Sequence, residues 1–377
     1  MDDFNQEVLE AVLAARQLTL ENISGRIGVS EDELKEELES GPSQKIINEL
    51  SAELAVPSFV FFMDHPPELR ASIVDFRSNR RAAEAKSRRT IESIDMARRL
   101  QQAAEEIGYA DELNIKLTPA ELPDAAGQVR RYLGITNEHQ LEAKDGSAFY
   151  GLCRRAVEEK GVFVMHESFP SADGSGFCLA DSKARMIVIN TRDQTPERRA
   201  FTLMHELGHA IVRATGISDP FEMSNHLERR CNRFAGRLLA PMPLVEEVVA
   251  RLKIGRDPSP DVIYRAGRLL KLSQEAVVVR LVQLKLVNDD LYDKWRAFIS
   301  DKGNPDRFTK PGGGGNIAQE RVKLAKYGFT FGRVFGRALR NERLSPIEIY
   351  RMSGLKPKYQ RPYFELAAAG EPNDVEG

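Results

Sequence analysis

His205, Glu206 and His209 form an HExxH motif within FTLMHELGHAI, residues 201–211. Residues four apart lie about 40° apart around an α-helix, so both imidazoles share one face. From that face they can hold one zinc ion, and the carboxylate beside the first can take a proton from water on the metal. This is the residue set of a zinc protease. The competing reading is a core helix that happens to carry two histidines. Against it, two imidazoles and a carboxylate on an apolar helix need polar partners if they are to be buried at all.

The neighbouring sequence must place the motif on a helix. RMIVIN (185–190) has the composition of a strand and is followed by TRDQTPERR. Thr195 is placed to cap a helix there, with Pro196 at its first position. Phe201, Met204, Leu207, Ala210 and Ile211 then supply apolar spacing. GVFVMHE (161–167) and GFCLA (176–180) read as two further short strands, with Asp181-Ser182-Lys183 as the hairpin turn before RMIVIN. A small sheet with one free edge beside the metal helix would take an extended peptide by strand addition.

A catalytic zinc needs a third protein ligand and an open position for water. The segment SNHLERRCNRFAGRLLAP (224–241) offers His226 and Glu228. Two residues apart on a helix means about 200° apart, so only one can face the metal. Glu228 is favoured, because Asn232 follows one turn later on the same face, placed to hydrogen-bond the far nitrogen of a zinc-bound histidine. The spacing from His209 to Glu228 also leaves room for a turn between two antiparallel helices. His226 is read as a surface histidine. The extended metzincin motif is absent, since Val212 stands where it requires Gly and Thr215 where it requires a third His. No oxyanion stabiliser is identified besides zinc. His166 is a candidate only because it precedes a loop near the expected cleft, and a plain strand-end histidine is the simpler reading.

With 377 residues the chain is long enough for two or three domains with sizeable cores. A formal charge of -2 implies no global attraction to nucleic acid. The 3 cysteines, Cys153, Cys178 and Cys231, show no CxxC spacing, which argues against a disulfide framework or a cysteine zinc site. The acidic start MDDFNQEV lacks the layout of a signal peptide. VPSFVFF (56–62) is the longest apolar run and falls far short of the ~20 residues that span a bilayer. A cytoplasmic location with no membrane partner is expected.

Two blocks, ERRAFTLMHELGH (197–209) and ERRCNRFAGRLLAP (228–241), resemble the paired "RRxFTLxHELGH" and "ExxANxFAxxLLMP" segments of the ImmA/IrrE metallopeptidases. Cys231 replaces the usual Ala and Ala240 the usual Met; neither is a ligand position. The resemblance is read over most of the chain. It implies zinc ligands at His205, His209 and Glu228, a catalytic Glu206, and a gluzincin-like fold. It further implies site-specific cleavage of a helix-turn-helix transcriptional repressor, as in stress response or mobile-element induction.

Residues 9–62 resemble an Xre-type helix-turn-helix of phage repressors, with Gly28 and Val29 at the turn and Ser30 capping the next helix. VDFRS (74–78) is a phrase that joins such domains to ImmA/IrrE peptidases. Electrostatics oppose DNA binding here. Residues 1–60 hold 13 acidic and 4 basic side chains, and EDELKEELE (31–39), in the recognition position, has six acids and one lysine. Phosphate attraction is the main source of DNA affinity, so any binding through this domain should be weak. A scaffold for partner binding or dimerisation is the alternative.

NRRAAEAKSRRTIESIDMARRLQQAAEEIG (79–108) predicts a long mixed-charge helix, and LTPAELPDAAG (117–127) a Pro-marked boundary. PGGGG (311–315) has no following GK[ST] and reads as a flexible linker rather than a phosphate loop. Residues 301–365 hold 14 basic and 6 acidic side chains. LSPIEIYRMSGLKP (344–357) has a helix-turn-helix cadence, and Phe329, Phe331, Phe335 and Tyr350 suggest a small core. Such a module could touch nucleic acid, the acidic N-terminal domain or an acidic substrate.

The expected fold is α+β and mostly helical. Its parts are an Xre-like helix-turn-helix domain at 1–66, a linker helix at 67–118, and a zincin-like peptidase core with a small sheet at 119–250. A helical domain at 251–300 and a basic C-terminal helical module at 301–377 follow. The expected function is that of a zinc endopeptidase regulating transcription by cleaving an Xre-type repressor or antitoxin-like protein. The alternative is a non-proteolytic regulator that binds a repressor or DNA.

Overall fold

The structure, a computed structural model, describes residues 4–16, 18–66, 74–75, 86–218, 226–302 and 317–370. It begins with four short helices, α1 (Gln6–Arg16), α2 (Leu20–Ile27), α3 (Glu31–Ser40) and α4 (Gln44–Leu54), and a 3-10 turn at Ser58–Phe62. Thr19, Ser30 and Ser43 start α2, α3 and α4 by accepting the backbone N–H groups of Asn22, Glu33 and Ile46. Gly28, at φ 76°, supplies the left-handed residue that ends α2. Val29 and Ser30 complete the turn into α3, as the sequence predicts. Val8, Val12, Ile23, Leu34, Leu50 and Phe61 close a separate small core. Only Leu34 and Leu38 of α3 are buried, so its acids lie outside that core.

This bundle is tied to the rest of the chain by charge. A two-residue strand, β1 (Val74–Asp75), precedes α5 (Arg88–Glu106). Arg16 makes a two-pronged contact with Asp95 of α5 at 2.7 and 2.9 Å, and its Nε donates to the Leu54 carbonyl. The long helix expected at 79–108 is observed from Arg88, with Ser87 as its cap; residues 79–85 lie outside the described residues.

Three more helices, α6 (Ala126–Tyr132), α7 (Asn137–Glu142) and α8 (Gly146–Glu158), lead into the sheet. Strands β2 (Phe163–Glu167), β3 (Gly176–Leu179) and β4 (Met186–Asn190) fall within the three strand-like stretches read from the sequence. Then come α9 (Pro196–Val212) and β5 (Gly216–Ser218). The strand order is β1-β5-β3-β4-β2, with β2 parallel to β4, β3 antiparallel to both its neighbours, and β1 parallel to β5. Strand β3 is therefore paired on both sides. This corrects the expected free edge beside the metal helix: a three-residue segment, GIS at 216–218, occupies it.

Alternation along the strands divides the core in two. Val164, Cys178, Ile187 and Ile189 face α6, α8 and α9. The helices α10 (His226–Leu239), α11 (Met242–Leu252), α12 (Pro260–Leu270), α13 (Gln274–Gln283) and α14 (Leu291–Lys302) extend that layer. Phe163, Met165, Phe177, Met186 and Val188 face the other way, toward α5 and the C-terminal helices α15 (Gln319–Arg340), α16 (Pro346–Ser353) and α17 (Pro357–Ala369). The outcome is a mixed sheet between two helical layers, an α+β and mostly helical fold.

The basic C-terminal helices thus share a core with the sheet. Gly328, at φ 80°, breaks the helical path of α15. A Cβ there would stand 2.8 Å from the Val164 carbonyl oxygen, so only glycine lets α15 approach β2. Phe331 is fully buried, its ring centroid 4.5 Å from that of Phe335. Phe329 lies under the Arg155 guanidinium, and Tyr350 is exposed, outside the expected small core. Phe331→Ala is expected to cost about 3–5 kcal/mol and to shift the denaturation midpoint of the central domain with it. A separately melting tail would show instead that the two are independent. PGGGG (311–315) lies outside the described residues. Among the described residues no helix is long and apolar enough to cross a membrane, and all three cysteines are free and buried.

Candidate active site

Thr195 caps α9 by accepting the Arg198 N–H, and Pro196 occupies the first turn, as expected. The helix packs against β3, β4, α8 and α10. Ala200, Leu203, Met204, Leu207, Ala210 and Ile211 fill the core around the motif. On α10, Glu228, Cys231, Phe234, Ala235, Leu238 and Leu239 are buried at helical spacing, so the carboxylate of Glu228 stands on an otherwise largely apolar stripe. That stripe carries Glu228 to the two histidines.

The three side chains converge. His205 Nε2 lies 3.1 Å from Glu228 Oε2, and His209 Nε2 lies 3.0 Å from Glu228 Oε1. The two Nε2 atoms are 3.1 Å apart. All three residues and Glu206 are fully buried. Among the described residues this is the one group of His, Cys, Asp and Glu arranged to hold a metal. Asn232 Oδ1 accepts from His205 Nδ1 at 2.8 Å, which turns Nε2 of that ring into the cluster. His226 is exposed and contacts Arg229 at 3.1 Å, outside the cluster.

This donor set fits zinc. Ligand atoms held about 2.0–2.1 Å from a tetrahedral centre stand about 3.4 Å from one another, close to the observed separations. Converging lone pairs repel unless a cation sits among them. Burial lowers the His209 pKa and favours the neutral, metal-binding ring. Burial pushes the Glu228 carboxyl up, but the two imidazoles pull it down further and keep it ionised. The Cys231 thiol beside them is pushed well up by burial and then by Glu228, so it stays protonated. Asn232→Ala is expected to lower metal affinity by about 10–100-fold by releasing the His205 ring; unchanged affinity in a metal titration would remove Asn232 from the site.

Comparison with known proteins agrees with this geometry. The family model described as the IrrE N-terminal-like domain, of the M78 peptidases, matches residues 157–282, which span β2 to α13 and include all the cluster residues. The central segment of this chain is similar to the IrrE N-terminal-like domain. A relative, the radiation response metalloprotease IrrE of Deinococcus radiodurans, is 35% identical over 79 residues, covering 19% of this chain. That aligned stretch spans 24% of the relative's own length. The matched region is the centre of the chain, narrower than the resemblance first read along most of it.

Within the IrrE-like domain, His166 stands apart from the metal cluster. It lies in one row of the sheet, opposite Ile189, which in turn faces Gly176. Two strand spacings of about 4.8 Å separate His166 from Gly176. Its Nε2 is engaged by the Tyr150 hydroxyl. Burial, then Arg154 and Arg199, hold its pKa well down. It is a buried strand residue, and nothing in its contacts brings it to the cluster.

Two glycines matter that motif reading did not single out. A Cβ on Gly176 would stand 2.8 Å from the Val188 carbonyl oxygen, 3.1 Å from Thr202 and 3.5 Å from Glu206 Oε1. The missing side chain lets β3 lie against Glu206. A Cβ on Gly208 would stand 3.2 Å from both Cys231 Sγ and Phe234, so glycine sets the closeness of α9 to α10 and hence of His209 to Glu228. Gln194 adds a tie across this region, donating to the Ser175 carbonyl and accepting from the Thr202 hydroxyl.

Proposed function

We propose that this chain is a zinc-dependent endopeptidase that cleaves a helix-turn-helix transcriptional repressor or an antitoxin-like protein in the cytoplasm. The observation that carries the reading is the convergence of His205, His209 and Glu228, with Glu206 beside the first ligand in the same buried turn of α9. His205, His209 and Glu228 would hold the metal. When bound, zinc polarises the scissile carbonyl and lowers the pKa of water toward ~7. Glu206 accepts the proton as water attacks and delivers it to the leaving amine nitrogen. Asn232 fixes the His205 tautomer throughout.

The substrate class rests on the family resemblance and on the acidic N-terminal bundle. A bundle with an anionic α3 suits protein recognition better than DNA binding. The relative's name places it in a radiation response, which supports a regulatory role under stress here.

The deciding experiment incubates zinc-loaded protein with small Xre-type repressors from the same genome, beginning with any encoded next door. Loss of the repressor band, with one new N-terminus identified by sequencing, is expected. A repressor that stays intact yet loses its DNA in the presence of this chain would establish the non-proteolytic alternative instead.

A further inference from the structure

A second site lies where α5, α8 and α15 meet, beside the entry to β2. It is a cavity of about 530 Å³, within the size range of small-molecule sites. It adjoins Gly161, at the Phe163 end of the sheet, whereas the metal cluster adjoins Gly176 at the other end of the strands.

Its walls carry opposite charges. Arg333 and Arg337 stand four residues apart on one face of α15, Asn341 caps its end, and Arg343 joins them from the turn beyond. Arg333 donates to the Glu158 carbonyl and Arg343 to the Ile107 carbonyl. Among the described residues, none of the three guanidinium groups is within ion-pair distance of a carboxylate. The Glu158 carboxylate also lines the cavity; it accepts from the Thr330 N–H at 3.3 Å, lies 3.6 Å from Arg154, and feels Arg333 only at longer range. Glu112 and Glu159 stand among the remaining lining residues.

We infer that this cavity binds a small phosphate ester carrying hydroxyl or amino donors, of the size and chemistry of a nucleoside phosphate. Guanidinium forks match phosphate oxygens in pairs, and none of these three is within ion-pair distance of a carboxylate among the described residues. The carboxylates of Glu112 and Glu159 accept from donors at the other end of the same molecule. Arg333 and Arg337 repel each other across one helical turn, and a bound anion relieves that repulsion.

Calorimetric titration of the zinc-loaded full chain with ADP, pyrophosphate and citrate, at low and moderate salt, tests the site. ADP binding that weakens with salt is expected, falling about tenfold or more in an Arg337→Met, Arg343→Met double variant. Both side chains are exposed, and unchanged circular dichroism will establish that the variant folds. The Glu228→Ala variant should bind ADP as wild type does. Loss of binding in that variant, with retention in the arginine variant, would place the phosphates on the metal and overturn the proposal. Citrate binding as tightly as ADP would overturn the phosphate assignment, and no binding of ADP or pyrophosphate would overturn the site. These outcomes are independent of whether the chain is a protease.

Discussion

Glu206→Gln should retain about one zinc per chain and lose cleavage by at least about 10²–10⁴-fold. The amide fills the same space between α9 and Gly176 but cannot accept the proton of the attacking water. Because Glu206 is not among the converging ligand atoms, metal content should hold. Metal analysis and a timed cleavage assay on the same preparation check both halves. Cleavage at the wild-type rate would remove Glu206 from the mechanism. Loss of zinc together with activity would reassign it to the ligand set.

The second large effect is expected from Glu228→Ala. It removes the carboxylate that faces both Nε2 atoms and leaves two imidazoles 3.1 Å apart with no third ligand. Zinc content should fall from about one per chain to near zero, and activity with it. His226→Ala should change neither, since that ring is exposed and contacts only Arg229 among the described residues. Full zinc retention in the first variant with loss in the second would exchange their roles. The same reasoning links metal to stability. A ligand that binds only the folded state at 100 times its Kd stabilises it by about 2.7 kcal/mol. A chelator should therefore lower the wild-type melting temperature and leave Glu228→Ala where it is.

The parts of this site readable from sequence share one property: they are local. The cap at Thr195, the spacing of His205 and His209, the strands at 163–167, 176–179 and 186–190, and the apolar stripe of α10 all follow from patterns within about a dozen residues. Choosing Glu228 over His226 needed only helical geometry and the position of Asn232. What escaped were pairings between distant segments. Strand β5 has three residues, too few to show alternation, and its place beside β3 is set by tertiary packing. The C-terminal helices read as a basic tail because their charges are exposed, while Phe331, Phe335 and Tyr363 pack into the core under the sheet. The roles of Gly176 and Gly208 depend on what a Cβ would strike across an interface, which no run of residues reveals.

If the chain is the peptidase proposed above, the double pairing of β3 bears on how a cell tolerates it. A protease that seizes any extended backbone by its amide groups threatens every nascent or heat-damaged chain around it. Here the backbone groups of the strand against the metal helix are already engaged by β4 and β5. Selection must then come from the shape and side chains of a particular partner, and denatured casein should survive prolonged incubation. On the proposed peptidase reading, general turnover would fall to other machinery, and the chain would act only where a partner of matching shape is presented.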